Sequence, residues 1–219
     1  MTNTIVIAEL NKGSIHSTTK ELISAAQMLG NSCTVVVPCN DSSVADSISS
    51  VSGVTKIIVA KSEIFTSYDA SGWASAIDSV TPEGTIITSA SPQSKDLAAR
   101  LAARRKLSVV QDVVSIQDGN LTSPVYSGKA MQTVSTSGNT VVSIRQNVFD
   151  PSPDGGSAEV SVIDASGNVT TAVKELISRA SERLDVSEAN IIISGGRGMG
   201  SPDNFSHLEQ IADTLGAAV

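Results

Sequence analysis

Four short apolar runs in the first ninety residues predict buried β-strands. Each is apolar at most positions, which is typical of strands that are covered on both faces of a parallel sheet. The runs are TIVIA at 4–8, CTVVVP at 33–38, VTKIIVA at 54–60 and GTIITSA at 84–90. Helical patterns stand between them, with Leu22, Ile23, Ala26 and Leu29 on one face, and later Leu97, Leu101 and Ala102. The alternation predicts an α/β fold with a mostly parallel sheet flanked by helices.

From 108 to 148 the pattern changes to a period of two, with no helical stripe. Turn signals stand at Asp118-Gly119 and at Ser137-Gly138-Asn139. This pattern predicts an antiparallel meander. The Pro- and Gly-rich segment 150–157 then predicts a surface loop that leads into a strand over AEVSVI at 158–163.

A second, smaller domain is expected near the end of the sequence. A continuous apolar stripe predicts a helix; it consists of Val173, Leu176, Ile177, Ala180 and Leu184. Its end near 185–189 separates an N-terminal domain over 1–187 from the beginning of a second nucleotide-binding domain over 188–219.

In that second domain we expect NIIIS at 190–194 to be a buried strand that a glycine-rich loop joins to a helix. Ser201 is the expected N-cap and Pro202 the first helical residue. The residues expected to face inward are Phe205, Leu208, Ile211, Ala212 and Leu215. One strand and one helix cannot satisfy a strand's backbone groups alone, so we expect this βα unit to be incomplete.

The amino-acid composition argues against several classes of binding partner. The formal net charge is -7, the pI is about 4.8 and aromatic residues make up 3% of the chain. These values argue against nucleic-acid binding and against attraction to anionic membranes. The sequence shows no membrane-spanning stretch and no leader, so we expect a cytoplasmic location and leave a mitochondrial matrix location open. Cys33 is expected in the core and Cys39 in a loop, without a disulfide.

The loop from Ser194 to Gly200, SGGRGMG, is the most informative local feature. Glycines let backbone N–H groups approach a ligand, and Arg197 can form two hydrogen bonds to a phosphate. The spacing matches neither G-x-G-x-x-G nor a P-loop, so from the residues alone an interdomain turn with a solvated arginine is an equally good interpretation.

The other charged and histidine residues do not form a recognisable catalytic or metal-binding pattern. Arg100, Arg104, Arg105 and Lys106 fit a solvated helix end. His16 and His207 lack metal-ligand spacing, and the sequence contains no G-x-S-x-G elbow. We therefore expect no catalytic residue and no metal site.

Three longer segments resemble the alpha-subunit family of electron transfer flavoproteins. They are SASPQSKDLAARLAARRKLSVVQDVVSI, PVYSGKAMQTVSTSGNTVVSIRQNVFDP and NIIISGGRGMGSPDNFSHLEQIADTLGAAV. The resemblance includes a Tyr-x-Gly-x-Ala turn at Tyr126, Gly128 and Ala130, an Arg-x-x-x-Phe strand end at Arg145 and Phe149, and Ser-Gly-Gly-Arg-Gly. It is most specific from residue 84 onward.

The resemblance implies an electron carrier rather than an enzyme. It implies an alpha/beta heterodimer with FAD on the alpha subunit and AMP often on the beta subunit. Acyl-CoA dehydrogenases of fatty acid β-oxidation, or other dehydrogenases, would supply electrons, and a quinone oxidoreductase or another acceptor would receive them. It also implies that Arg197 contacts FAD on its phosphate side, with Gly195, Gly196 and Gly198 shaping the loop. Tyr126, Gly128 and Arg145 are expected to hold the surface of the N-terminal domain together.

The sequence departs from the family pattern at its end. Family members continue through a Ser-Arg pair, a Gln-Thr-Gly loop and a Ser-Gly-x-x-Gln-His segment that contact FAD. We therefore expect this chain to bind FAD poorly by itself. Two alternatives remain: a flavin-free scaffold that only docks the beta subunit, and a nucleotide-binding α/β protein.

Overall fold

A computed structural model describes residues 3–11, 13–30, 32–171, 184, 186 and 189–219. Apart from Leu184, the predicted helix over 173–184 lies outside the described residues. The chain divides into two compact units, Met1–Ala172 and Val173–Val219.

Among the described residues, all the strands and the first three α-helices belong to the first unit. The strands are β1 (Asn3–Ile7), β2 (Leu10–Asn11), β3 (Ser14–Ile15), β4 (Ser32–Cys39), β5 (Val54–Lys61), β6 (Thr85–Ser89), β7 (Ser108–Val113), β8 (Ser115–Gln117), β9 (Asn120–Val125), β10 (Ala130–Ser135), β11 (Thr140–Ile144) and β12 (Glu159–Asp164). The helices are α1 (Thr18–Leu29), α2 (Ala70–Val80) and α3 (Pro92–Arg105), with short 3-10 helices at Ser42–Ile48 and Glu63–Thr66.

A seven-stranded sheet organises this unit, in the order β12-β5-β4-β1-β6-β11-β7. Every neighbouring pair in it is parallel. Two apolar clusters cover its faces, one built with Leu22 and Ile23 of α1 and the other with Trp73 of α2 and Leu101 of α3. The parallel pairing of the strands and the packing of helices against the sheet confirm the prediction of a mostly parallel sheet flanked by helices.

The antiparallel meander predicted within 108–148 is confirmed for β8, β9 and β10, but it does not extend to the strands at either end of that range. Only β8, β9 and β10 form an antiparallel sheet, while β7 and β11 pair with each other in parallel and join the large sheet through β6. All five residues of β11 are buried. Alternation within a strand does not reveal the direction of its partner, and the turn at 137–139 joins two strands that do not pair.

Two further expectations for the first unit have clear outcomes. The strand expected at 158–163 is confirmed as β12, an edge strand. Cys39 lies at the end of β4 and is buried, so its assignment to a loop is wrong. Both cysteines are free, and burial raises the pKa of the Cys33 thiol to about 12.

The second unit contains two short 3-10 helices and one α-helix among its described residues, namely Arg197–Met199, Pro202–Phe205 and α4 (Ser206–Leu215). The strand expected at 190–194 is reduced to one parallel bridge between Ile192 and Ala218. A strand needs a neighbour along its length to pair its backbone groups, and in the described residues only the segment at 217–218 lies beside it. Ile191 and Ile192 are accordingly exposed rather than buried.

Candidate functional site

The glycine loop runs from Ser194 to Gly200, between the Ile192 bridge and the 3-10 helix at Pro202–Phe205. Backbone hydrogen bonds fold it tightly: Met199 N–H donates to the Gly196 carbonyl at 3.0 Å, and Gly200 N–H donates to the Arg197 carbonyl at 3.2 Å. Gly200 has φ +72°, a left-handed value that favours glycine. The loop is therefore a defined 3-10 turn with its glycines at the surface.

The helix after this loop begins later than the sequence predicts. Ser201 caps the 3-10 helix, accepting a hydrogen bond from Asp203 N–H at 3.3 Å, and α4 starts only at Ser206. The Asn204 side chain donates to the Met199 carbonyl at 2.6 Å and ties the two short turns together. Ser201 is confirmed as an N-cap, although it caps a 3-10 turn and not the α-helix.

The three glycines predicted to shape the loop have different surroundings. A Cβ on Gly195 would lie 2.8 Å from both Leu208 Cδ1 and Met199 Cγ, so this position requires a residue without a side chain. A Cβ on Gly196 or Gly198 would meet no atom within 4 Å. Gly195 therefore serves packing, whereas Gly196 and Gly198 leave their backbone open to a ligand.

Arg197 lies between the two open glycines. It is exposed, and within the described residues its guanidinium makes no hydrogen bond or ion pair. An unpaired guanidinium has the donors that a phosphate accepts from.

A cavity of about 580 Å³ adjoins Arg197. Its apolar wall consists of Met199, Pro202 and Phe205. The sequence analysis predicted Phe205 as a core residue and did not predict that Met199 and Pro202 would line a cavity. The position of these two residues next to the glycines was the feature of the sequence that could have indicated it. A cavity with one cationic side and one apolar side suits a ligand that carries both a phosphate and a flat ring system.

The face of α4 expected to point inward is only partly buried. Ala212 is fully buried, and Phe205 and Leu208 are half-buried. Ile211 and Leu215 are 49% and 52% exposed, so the expectation for these two residues is wrong. Among the described residues of the second unit, the contacts therefore bury only one narrow side of α4.

The chain matches two family models that together span most of its length. Residues 4–168 match the electron transfer flavoprotein domain, and residues 185–219 match the electron transfer flavoprotein FAD-binding domain. Curated relatives named electron transfer flavoprotein subunit alpha are 31% identical in Mycobacterium leprae and 32% identical in Bacillus subtilis. These alignments cover 100% and 98% of this chain and 72% and 70% of the relatives.

The chain belongs to the electron transfer flavoprotein alpha-subunit family. A mitochondrial relative from Dictyostelium discoideum is 33% identical over 98% of the chain and 67% of its own length. The candidate loop lies inside the segment that matches the FAD-binding model.

The other residues that carry the family resemblance lie in the first unit. Tyr126 is at the β9–β10 turn and 82% exposed, and Gly128 follows it with φ +81°. Arg145 pairs with Asp112, its Nε lying 3.1 Å from Asp112 Oδ1. The Arg145–Asp112 pair joins the ends of β11 and β7, which agrees with a structural role for this arginine.

The basic cluster at the end of α3 makes intramolecular contacts. Arg105 Nε donates to Asp78 Oδ1 at 2.6 Å and its Nη1 donates to the Pro82 carbonyl at 2.6 Å, while Arg104 also pairs with Asp78. Arg100 pairs with Asp96 one turn earlier. Within the described residues no cluster of three metal-ligating side chains occurs, and no helix is long and apolar enough to cross a membrane.

Proposed function

We propose that this chain is the alpha subunit of an electron transfer flavoprotein that carries electrons through FAD from dehydrogenases to an acceptor such as a quinone oxidoreductase. Acyl-CoA dehydrogenases of fatty acid β-oxidation are the donors we favour. The observation that supports the flavin role most is the unpaired Arg197 between two glycines with open space, inside the segment that matches the FAD-binding model.

The residues present fit the phosphate side of FAD. Arg197 would donate hydrogen bonds to a phosphate oxygen, while Gly196 and Gly198 would let their N–H groups come close. Gly195 would hold the loop against Leu208 and Met199. When bound, the flavin supplies the redox step, and these residues bind and orient it. The proposal therefore includes no catalytic side chain and no metal.

The partner we propose is the beta subunit, in a heterodimer, with AMP on that subunit. We place the boundary between the N-terminal domain and the flavin-binding domain at 187/188, close to the start of the second family match at 185. Relatives occur both in a bacterium and in a mitochondrion. We propose a cytoplasmic or mitochondrial matrix location on that basis.

The test is flavin binding by the chain assembled with its beta subunit. Arg197→Ala should weaken FAD affinity by about tenfold or more, because one charge-assisted hydrogen bond contributes roughly 1.5–3 kcal/mol. Gly198→Val should also weaken it, by filling the open space beside the loop. Flavin absorbance and fluorescence titration measure both, and Arg104→Ala, an exposed arginine outside the loop, is the matched control.

The result also tests the flavin-free scaffold as the alternative function. If Arg197→Ala and Gly198→Val bind FAD like the unaltered chain, the loop is not the phosphate site. If the chain assembles with the beta subunit and the complex stays colourless with added FAD, the flavin-free scaffold is correct instead.

A further inference from the structure

A second cavity, in the first unit and independent of the glycine loop, lies between β7, the first turn of α3 and the β9–β10 hairpin. Its volume is about 550 Å³. The polar residues that line it are Lys95 in the first turns of α3, Gln111 and Asp112 near the end of β7, Ser123 in β9 and Gln132 in β10. The remaining wall is apolar and consists of four valines and one proline.

Among the charged groups around the cavity, Lys95 is the one without an ion-pair partner in the described part of the chain, although its charge also acts on Asp112. Arg145 forms a two-point ion pair with Asp112, through Nη2 to Oδ2 at 2.5 Å and through Nε to Oδ1 at 3.1 Å. The hydrogen bond from Arg145 and the nearby charge of Lys95 lower the pKa of Asp112, so this carboxylate is ionised and neutralised by its partner. Lys95, half-buried, makes no ion pair with any described residue. Although the protein as a whole carries a net charge of -7, the unpaired Lys95 makes this cavity locally attractive to an anion.

Hydrogen-bonding groups without partners converge on the same cavity. Gln111 and Gln132 are exposed and their side chains make no hydrogen bond within the described part of the chain, so their amides are free to bind a ligand in place of water; Gln132 lies opposite Ser123 in the β9–β10 register. Ser123 is 8% exposed, and its hydroxyl is buried without a partner. A buried hydroxyl without a partner costs about 1–3 kcal/mol, and protein surfaces that concentrate unpaired amides and a cation in a concave apolar wall are typical of small-molecule sites.

We propose that this cavity binds a small organic monoanion, with its carboxylate at Lys95, its short apolar chain along the valines and a neutral hydrogen-bonding end at Gln111 and Gln132. A dianion fits less well because Lys95 supplies a single positive charge and Arg145 is already paired with Asp112. An inorganic ion also fits less well because it would leave the apolar wall in contact with water. The site depends on no residue of the glycine loop.

The experiment uses 4-acetamidobutyrate, which has a carboxylate, three methylene groups and an amide end. Calorimetric titration of the chain should show saturable binding, and the side-chain amide signals of Gln111 and Gln132 should shift in heteronuclear NMR spectra. The neutral amide of the same molecule and the dianion glutarate should each bind at least about tenfold more weakly than 4-acetamidobutyrate.

Lys95→Gln tests the anion contact with little change in side-chain length. It should weaken 4-acetamidobutyrate binding about tenfold or more, while Lys61→Gln, at an exposed lysine at the end of β5, should leave binding unchanged. Circular dichroism checks that both variants are folded.

Three outcomes overturn the proposal: no saturable binding at millimolar probe, equal binding of the neutral amide, or no effect of Lys95→Gln. If the probe does not bind but Lys95→Gln weakens assembly with a partner subunit, the cavity is a protein contact and the small-molecule proposal is wrong.

Discussion

At the scale of single residues, Asp69 connects parts of the chain that lie about 100 residues apart in sequence. Its carboxylate caps α2, accepting a hydrogen bond from Gly72 N–H at 2.6 Å. It also accepts from Thr171 N–H at 2.8 Å and from Thr170 N–H at 3.2 Å. One buried carboxylate therefore fixes both the start of α2 and the last residues of the first unit.

Asp69→Ala should loosen the segment at 165–171 as well as destabilise α2. We expect a fall of several degrees in Tm and at least roughly tenfold faster hydrogen exchange at the Thr170 and Thr171 amides, because local opening becomes easier. Asp41→Ala is the matched control, since Asp41 also caps a helix, the 3-10 helix at Ser42–Ile48, but among the described residues its hydrogen bonds go to nearby Ser43 alone. Unchanged exchange at Thr170 and Thr171 in Asp69→Ala would contradict the assignment.

The same contacts predict a pH dependence with a definite sign. The Gly72 N–H bond, followed by the Thr171 hydroxyl, holds the pKa of Asp69 well below its usual range. The stabilisation by Asp69 is therefore fully present above its unfolded pKa of about 3.9 and is lost as pH falls toward the lower folded value. The Tm difference between the unaltered chain and Asp69→Asn should shrink as the pH is lowered below about 4.

Residue-scale prediction from the sequence was strongest where the partner is local. The N-cap at Ser201 was visible because the N–H group that donates to its hydroxyl, that of Asp203, lies two residues away. Asp69 carries no such signal, since its decisive contacts are with Thr170 and Thr171, about 100 residues later. The lone Lys95 and the Arg145–Asp112 pair were equally invisible because they depend on which strands lie side by side.

At the scale of elements, the C-terminus of α3 contains a correctable strain. Lys106 ends the helix with φ +55°, and Leu107 N–H donates to the Ala102 carbonyl at 2.9 Å, as in a Schellman motif. A left-handed conformation costs a residue with a Cβ about 1–2 kcal/mol, part of which glycine loses again as chain entropy in the unfolded state.

Lys106→Gly should therefore raise the free energy of unfolding by about 0.5–1 kcal/mol. Lys106→Ala removes the same charge but keeps the Cβ, so it should give no gain. Urea unfolding measures both variants, and equal stability of the two would show that the left-handed backbone carries no strain worth relieving.

The elements themselves were more predictable than their partners. The runs at 4–8, 33–38 and 54–60 became β1, β4 and β5 because a strand buried on both faces must be apolar along its length. The run at 140–144 has the same character, yet the sequence placed it in a meander. Its position between β6 and β7 follows from crossovers that bring together strands far apart in sequence, and these crossovers leave no local pattern.

At the scale of the whole molecule, the two units differ in how much core they contain. The first has apolar clusters on both faces of its sheet, with Ile5, Leu22, Ile57, Ile86 and Leu101 fully buried. In the described part of the second unit, the buried residues are Ala212, Ala217 and Ala218, and Ile192 and Leu215 are exposed. Both the resemblance to flavoproteins and the glycine loop were visible in sequence, but this difference in packing was not.

Each unit should accordingly behave differently when it is produced alone. A fragment of residues 1–172 should unfold cooperatively, with a Tm within a few degrees of the whole chain, because its core lies inside the fragment. A fragment of residues 189–219 should show no cooperative transition, since a segment below about 40 residues seldom folds alone.

A third fragment that ends at 164 keeps all twelve strands but lacks Thr170 and Thr171. It should melt at a lower temperature than 1–172, because Asp69 then loses its distant donors. Equal melting of the two longer fragments would mean that Asp69 stabilises only α2, and failure of 1–172 to fold would show that the first unit depends on the rest of the chain.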